Sequence, residues 1–185
     1  MFSTLRNAFK IKELRQKLLF TFLMLVVIRL GSSLPIPGVN TNYFREFFAK
    51  QSGDAFGFFN AMTGGSFEQM SVLALSITPY ITSSIIIQLL TIAVPALEEM
   101  QRDGEDGRKK IVAYTRYVTV ALGLIESVAM SIGFGKQGLL IHYGPKSVIV
   151  AVCTMTAGSA FLMWIGERIT DKGVGNGISI VLLFN

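Results

Sequence analysis

The chain reads as an all-α, polytopic membrane protein, and three features of its 185 residues predict that class. Hydrophobic residues make up 51% of it and charged residues only 16%, with a mean hydropathy of +0.52; a soluble domain carries roughly 25% charged residues. Two long intervals, between Glu68 and Glu98 and between Lys146 and Glu167, contain no Asp, Glu, Lys or Arg. A spanning helix needs ~20 mainly apolar residues, because in lipid every backbone N–H and C=O must be paired within it. The basic residues, finally, alternate with the apolar runs. That placement argues against a nucleic-acid surface despite the net charge of +5 and a pI near 9.5.

Taken in order, residues 1–17 predict a cytoplasmic, amphipathic start, with Phe2, Leu5 and Phe9 at helical spacing among Arg6, Lys10 and Lys12. A first span is expected over about 18–34, interrupted by Arg29 and closed by Leu34-Pro35-Ile36-Pro37-Gly38. No small-x-small cleavage site follows it, so a removable signal peptide is the lesser reading. Arg29 lies toward the outer end, where a long side chain can reach the interface. The stretch up to Glu68 is polar with aromatic islands, and 55–65 reads as a short helix too brief to span.

A second span is expected over about 72–97, bent at Pro79, which lacks an N–H and crowds the preceding turn. A charged, Gly-containing loop, 98–110, leads to a third span at 111–134. The fourth, at 147–166, follows a Gly-rich external loop that contains His142. A second charged loop, 167–177, enters an apolar run, 178–185, too short to cross alone. With the amino terminus inside, twelve Lys and Arg fall on the cytoplasmic side and four outside, with Arg29 in the first span. This is the positive-inside bias.

Candidate chemistry is sparse. Gly133-Phe134-Gly135-Lys136-Gln137-Gly138 matches a dinucleotide fingerprint in spelling, but it follows a membrane span and opens no βαβ unit. His142 has no Cys or second His at ligand spacing, and no Ser, His and Asp constellation appears. The single Cys153 excludes an intramolecular disulfide and reads as a small buried apolar residue. No enzyme, catalytic residue, metal or cofactor is expected. Glu126, alone in mid-span, is expected to face a polar interior or a neighbouring subunit, without the second acid or His that a proton relay needs. Ile77 and Ile81, four apart, share one helix face; by itself such spacing fits lipid or core. Thr82, Ser83, Ser84 and Gln88 make this span less oily than a lipid-facing one.

Several longer motifs carry a resemblance. Arg29-Leu30-Gly31 with Leu34-Pro35-Ile36-Pro37-Gly38, then Ile77-Thr78-Pro79-Tyr80-Ile81 running into Ser84-Ile85-Ile86-Ile87-Gln88-Leu89-Leu90, closely resemble the SecY family. So do Gly107-Arg108-Lys109-Lys110-Ile111 with Tyr114-Thr115-Arg116-Tyr117, Phe161-Leu162-Met163-Trp164 with Gly166-Glu167, and Gly175-Asn176-Gly177-Ile178-Ser179-Ile180. The motifs stand in the family's order over essentially the whole chain.

The resemblance implies the amino-terminal half of an inverted-repeat, protein-conducting channel with a short plug helix. Secretory polypeptides would cross it unfolded, and membrane segments would leave it sideways. It places Ile77, Ile81 and Leu182 at the pore constriction, with Ile178 a turn below Leu182, where the family often carries isoleucine instead of leucine. It places the plug at about 55–65, including Phe56, Phe58, Phe59, Met62, Gly64 and Gly65, and the lateral gate on the second span at Thr82 and Gln88. Arg108, Lys109 and Lys110 fall in a cytoplasmic partner loop. Implied partners are the SecE and SecG subunits, the SecA motor ATPase, the ribosome, a translocating polypeptide, membrane lipid and an insertion factor such as YidC. The implied location is the bacterial cytoplasmic membrane. The family's second half is not present up to Asn185, so the segment by itself is expected not to conduct. Two rivals are a nascent membrane protein acted on by the insertion machinery, and a secondary transporter, for which only Glu126 offers a mid-membrane carboxylate.

Overall fold

The computed structural model describes residues 11–50, 65–66 and 69–184, and α-helices account for most of them. The amphipathic start over residues 2–10 and most of the expected plug lie outside the described residues. Helix α1, Lys12–Ser32, buries Thr21, Ile28 and Ser32 and exposes Leu19, Phe22, Leu23, Val26 and Leu30. Its last turn is closed by hydroxyls: Ser32 and Ser33 both donate to the Arg29 carbonyl, at 2.8 and 3.1 Å. Gly38, at φ +82°, turns the chain into α2, Thr41–Lys50, where Asn40 Oδ1 accepts the Tyr43 N–H at 3.3 Å.

The expected second span differs most from the observed backbone. Residues 71–77 are not helical; they form successive turns, with Ser71, Leu73, Ala74, Leu75, Ser76 and Ile77 all buried. Non-helical backbone is tolerated at membrane depth only where protein surrounds it. Here its polar groups are paired with neighbouring chain. The Val72 N–H donates to Leu34 O at 2.9 Å, Ser76 N–H to Leu73 O at 2.8 Å, and Leu73 N–H to Ser71 Oγ at 3.2 Å. Helix α3, Thr78–Ala93, begins only after this segment, so Pro79 occupies the first turn and does not bend it. At that position the missing N–H would have had no intrahelical partner anyway. The bend comes at the next proline: α3 and α4, Pro95–Arg102, meet at 101°. Val94 is extended (ψ 111°), as a residue preceding proline is driven to be, and this breaks the helix.

The charged stretch 98–110 is likewise a helical hairpin, not a loop. Gly104, at φ +77°, turns α4 directly into α5, Glu105–Phe134. Gly107 permits the tight approach, since a Cβ there would stand 1.7 Å from the Met100 carbonyl oxygen. Charged side chains do not oppose helix; they only keep that helix solvated. Glu105 and Asp106 favour the start of α5 by meeting its positive end. Five residues Gly135–Leu139 form a wider π turn, and α6 runs Pro145–Lys172 before α7, Gly177–Phe184. The charged loop expected at 167–177 is thereby reduced to residues 173–176.

Small residues let these helices approach closely. Thr115, Thr119, Gly123, Ser127 and Ser131 recur every fourth residue on the buried side of α5. Ser83 on α3 hydrogen-bonds Thr119, and Thr156 on α6 hydrogen-bonds Ser127, at 2.5 and 2.9 Å. Two apolar clusters result. One joins Ile36, Val39, Met70, Leu75, Leu139, Leu140, Ala151 and Met155. The other gathers Ile28, Leu73, Ile77, Leu162, Ile165, Ile169 and Val181. Among the described residues, Glu105–Leu139 and Pro145–Lys172 are long and apolar enough to cross a membrane, and the bent pair α3–α4 would be a third if taken as one span. Helix α1 is not among them, because every stretch of 18 residues in it includes Arg15, Lys17 and Arg29.

Candidate functional site

Ile77 stands at the cap of α3, fully buried, and its carbonyl accepts the Ile81 N–H at 3.1 Å, so the two side chains stack one turn apart. Ile178 and Leu182 repeat the spacing on α7. All four belong to the second apolar cluster, with Ile81, Ile178 and Leu182 half-buried at its edge. Gly166 of α6 lets the two pairs close up: a Cβ there would lie 3.4 Å from Ile77 Cδ1 and 3.3 Å from Ile178 Cγ1. Helices α6 and α7 touch more tightly still, since a Cβ on Gly177 would fall 2.0 Å from the Gly166 carbonyl. Branched aliphatic side chains offer no hydrogen bonds and no charge. Such a cluster can exclude water and do no chemistry.

The remaining expected residues are not gathered there. Thr82 and Gln88 are exposed on α3, about 120° apart around the helix. Gln88 Nε2 donates to Ser84 Oγ at 3.3 Å. Arg108, Lys109 and Lys110 project from the first turns of α5, exposed, with Lys109 3.6 Å from Asp106. Gln88 and Arg108 do share a cleft of about 340 Å³ with Tyr80, Ser84, Thr91 and Gln101, at the angle between α3, α4 and α5. Of the expected plug residues, Gly65 is described, at φ +81°, and no described atom lies within 4 Å of where its Cβ would stand; Phe56, Phe58, Phe59, Met62 and Gly64 lie outside the described residues. Cys153 is exposed on α6 among the described residues and not buried as expected. Glu126 is half-buried, with no ion pair among the described residues. No group of three or more His, Cys, Asp or Glu that could hold a metal occurs among the described residues.

Two polar features were not legible beforehand. Arg116 Nε donates to Glu167 Oε1 at 2.8 Å, joining α5 to α6 beside Trp164, which stacks on Phe161 and carries the Arg168 guanidinium 5.5 Å from its ring centre. At the turn between α6 and α7, three side chains from different parts of the chain hold the backbone. Thr21 Oγ1 accepts the Val174 N–H at 3.2 Å, Thr170 Oγ1 accepts the Gly177 N–H at 2.9 Å, and Asn176 Oδ1 accepts the Ile178 N–H at 3.1 Å. The Asn176 cap has a local signal, an Asn just before an apolar run. The two threonines have none.

Comparison with known proteins bears on the family and the fold. The family model described as SecY matches residues 71–185. A protein translocase subunit SecY of Pseudomonas aeruginosa is 45% identical over 172 residues, covering 93% of this chain and 39% of that protein. Those of Bacillus subtilis and Escherichia coli K12 are each 44% identical, covering 98% and 92% of this chain and 42% and 39% of theirs. The chain thus spans about two fifths of the length of these relatives. Among solved structures, Sec61 in the canine ribosome-channel complex from the endoplasmic reticulum has a TM-score of 0.62 at 18% identity, covering 91% of this chain and 35% of that one. A structure described as that of a protein conducting channel gives the same values. These two show a shared fold. The relatives favour neither a transporter nor an inserted substrate. With the family model matching more than half of its residues, the chain belongs to the SecY family.

Proposed function

We propose that the chain forms part of the pore subunit of a protein-conducting channel in the bacterial cytoplasmic membrane, with its amino terminus in the cytoplasm and without chemistry of its own. The observation that carries this reading is the meeting of Ile77, Ile81, Ile178 and Leu182 in one apolar cluster. A collar of branched aliphatic side chains excludes ions by dewetting, yet resists a passing peptide little because it forms no hydrogen bonds with it. Such a collar is indifferent to the sequence that crosses it. Sideways opening along α3, where Thr82 and Gln88 are exposed, would let an apolar segment partition into lipid. The gain is ~0.3 to 0.6 kcal/mol per Leu, Ile, Phe or Val, enough to sort membrane segments from secreted ones without a catalyst.

The plug belongs to the same proposal at about 55–65. The exposed basic residues Arg108, Lys109 and Lys110 suit a cytoplasmic surface for the ribosome or SecA. SecE and SecG would complete the channel, and YidC would take over released segments. The test is reconstitution of the full-length subunit with SecE, SecG, SecA, ATP and a secretory precursor. Protease-protected, ATP-dependent precursor is expected; its absence from vesicles that hold the assembled complex would overturn the proposal.

A further inference from the structure

Resting on that reading of the collar, we propose that Thr21, Thr170 and Asn176 are positioning residues that set the rotation of α7 and thereby aim Ile178 and Leu182 into the collar. The first N–H groups of a helix have no intrahelical acceptor. At α7 they are taken by side chains: Gly177 N–H by Thr170 Oγ1 at 2.9 Å, and Ile178 and Ser179 N–H by Asn176 Oδ1 at 3.1 and 3.4 Å. Each hydroxyl is also anchored to its own helix. Thr170 donates to Gly166 O at 2.9 Å, and Thr21 to Lys17 O at 2.9 Å. Thr21 therefore fastens the turn at Val174 to α1, across 153 residues of chain, while Thr170 fastens the next residues to α6.

Space enforces the same register. A Cβ on Gly173 would stand 2.6 Å from both Ile169 O and Thr21 Oγ1, and Gly177 is pressed against the Gly166 carbonyl. Slipping the start of α7 by one residue would turn the helix by about 100°. Leu182, in the cluster, and Leu183, 77% exposed, are neighbours on α7, so such a turn exchanges a collar residue for an outward one. The three acceptors bind backbone N–H groups of α7 and of the turn before it, and act through that backbone.

The experiment measures ion flux through the full-length subunit, in its complete membrane complex, with no translocating chain. Thr170→Val and Thr21→Val keep the shape and remove the acceptor, and Asn176→Ala removes the acceptor with its carboxamide; each is expected to raise idle flux several-fold. Thr170→Ser and Asn176→Asp keep an acceptor and are expected to remain as tight as the parent; at Thr170 this separates acceptor from packing, since valine keeps the shape and serine loses the methyl group. Ile81→Asp serves as the control for the pore reading. If Ile81→Asp leaks while all three acceptor-removing variants stay tight, the inference is overturned and the pore reading stands. If Ile81→Asp is silent too, the pore reading falls and the inference with it. For a variant recovered too poorly for flux, a charged maleimide is applied in native membranes to Leu182→Cys in a Cys153→Ser background. Faster labelling than in the parent background supports the inference, and an unchanged rate overturns it.

Discussion

Arg116 and Glu167 meet at 2.8 Å although 51 residues separate them, and the pair ties α5 to α6 at the end nearest the collar cluster. The Glu167 side chain is 17% exposed and that of Arg116 50%, so water screens the pair only in part. A double-mutant cycle with Arg116→Met and Glu167→Gln in the full-length protein is expected to show a coupling of about 1 kcal/mol, at the upper end of exposed pairs. Unfolding by SDS titration measures it. Strictly additive single effects would show that the contact contributes nothing.

The hydroxyl pair Ser83 and Thr119 is expected to couple less strongly, by about 0.6 kcal/mol, the average for side-chain hydrogen bonds between membrane helices. Each hydroxyl carries one proton, so one donates to its partner and the other to a carbonyl of its own helix; when the partner is removed, the remaining hydroxyl still has a carbonyl to donate to, Tyr80 O at 2.9 Å for Ser83 or Thr115 O at 2.7 Å for Thr119. The cycle Ser83→Ala with Thr119→Val measures this in the same titration. A coupling well above 1.7 kcal/mol, the largest of its kind, would contradict the geometry.

Two glycines on neighbouring helices should respond in opposite ways to the same substitution. A Cβ on Gly158 would lie 1.9 Å from the Val72 carbonyl oxygen, in the buried non-helical segment, whereas a Cβ on Gly133 meets no atom of the described residues within 4 Å. Gly158→Ala must displace backbone and is expected to cost about 3 kcal/mol or more. Gly133→Ala is expected to stabilise α5 by about 1 kcal/mol. Folded yield of the membrane-extracted protein compares them, and equal yields would contradict the packing described.

The topology makes its own prediction. Asp103 and Gln137 flank α5, whose 30 residues span about 45 Å, enough to cross a bilayer. Single cysteines at these positions, in a Cys153→Ser background, are expected to label from opposite sides, Asp103→Cys from the cytoplasm. Labelling of both from one side would overturn the orientation.

The bundle was legible where the sequence is uninterrupted. The expected spans at 111–134 and 147–166 fall inside α5 and α6, which extend further because their charged ends are helical too. The segment 71–77 was not legible. Val72-Leu73-Ala74-Leu75-Ser76-Ile77 is as apolar as a helix, and a buried run carries no periodicity to reveal that its backbone is turned. Pro79 and Pro95 look alike in sequence, and each stands in the first turn of a helix; only what precedes them differs, turns before Pro79 and the helix α3 before Pro95, so that the second alone interrupts a helix. Within the site, the spacing of Ile77 and Ile81 could be read directly, and Leu182 only through family resemblance. Thr21 and Thr170 could not be read, because their partners are backbone groups brought close by the fold.

The most direct test of the collar is idle ion flux in proteoliposomes holding the full-length subunit and its partners. Ile81→Asp is compared with Ile81→Val and with Ile92→Asp, a residue of α3 that is 81% exposed and outside the cluster. A carboxylate in an apolar surround costs on the order of 2.5 to 3.5 kcal/mol, a cost relieved by admitting water. Ile81→Asp should therefore conduct, while Ile81→Val, which nearly keeps volume and apolarity, should stay closed. If Ile81→Asp assembles normally and passes no more current than Ile81→Val and Ile92→Asp, Ile81 does not line a pore and the proposed function is contradicted.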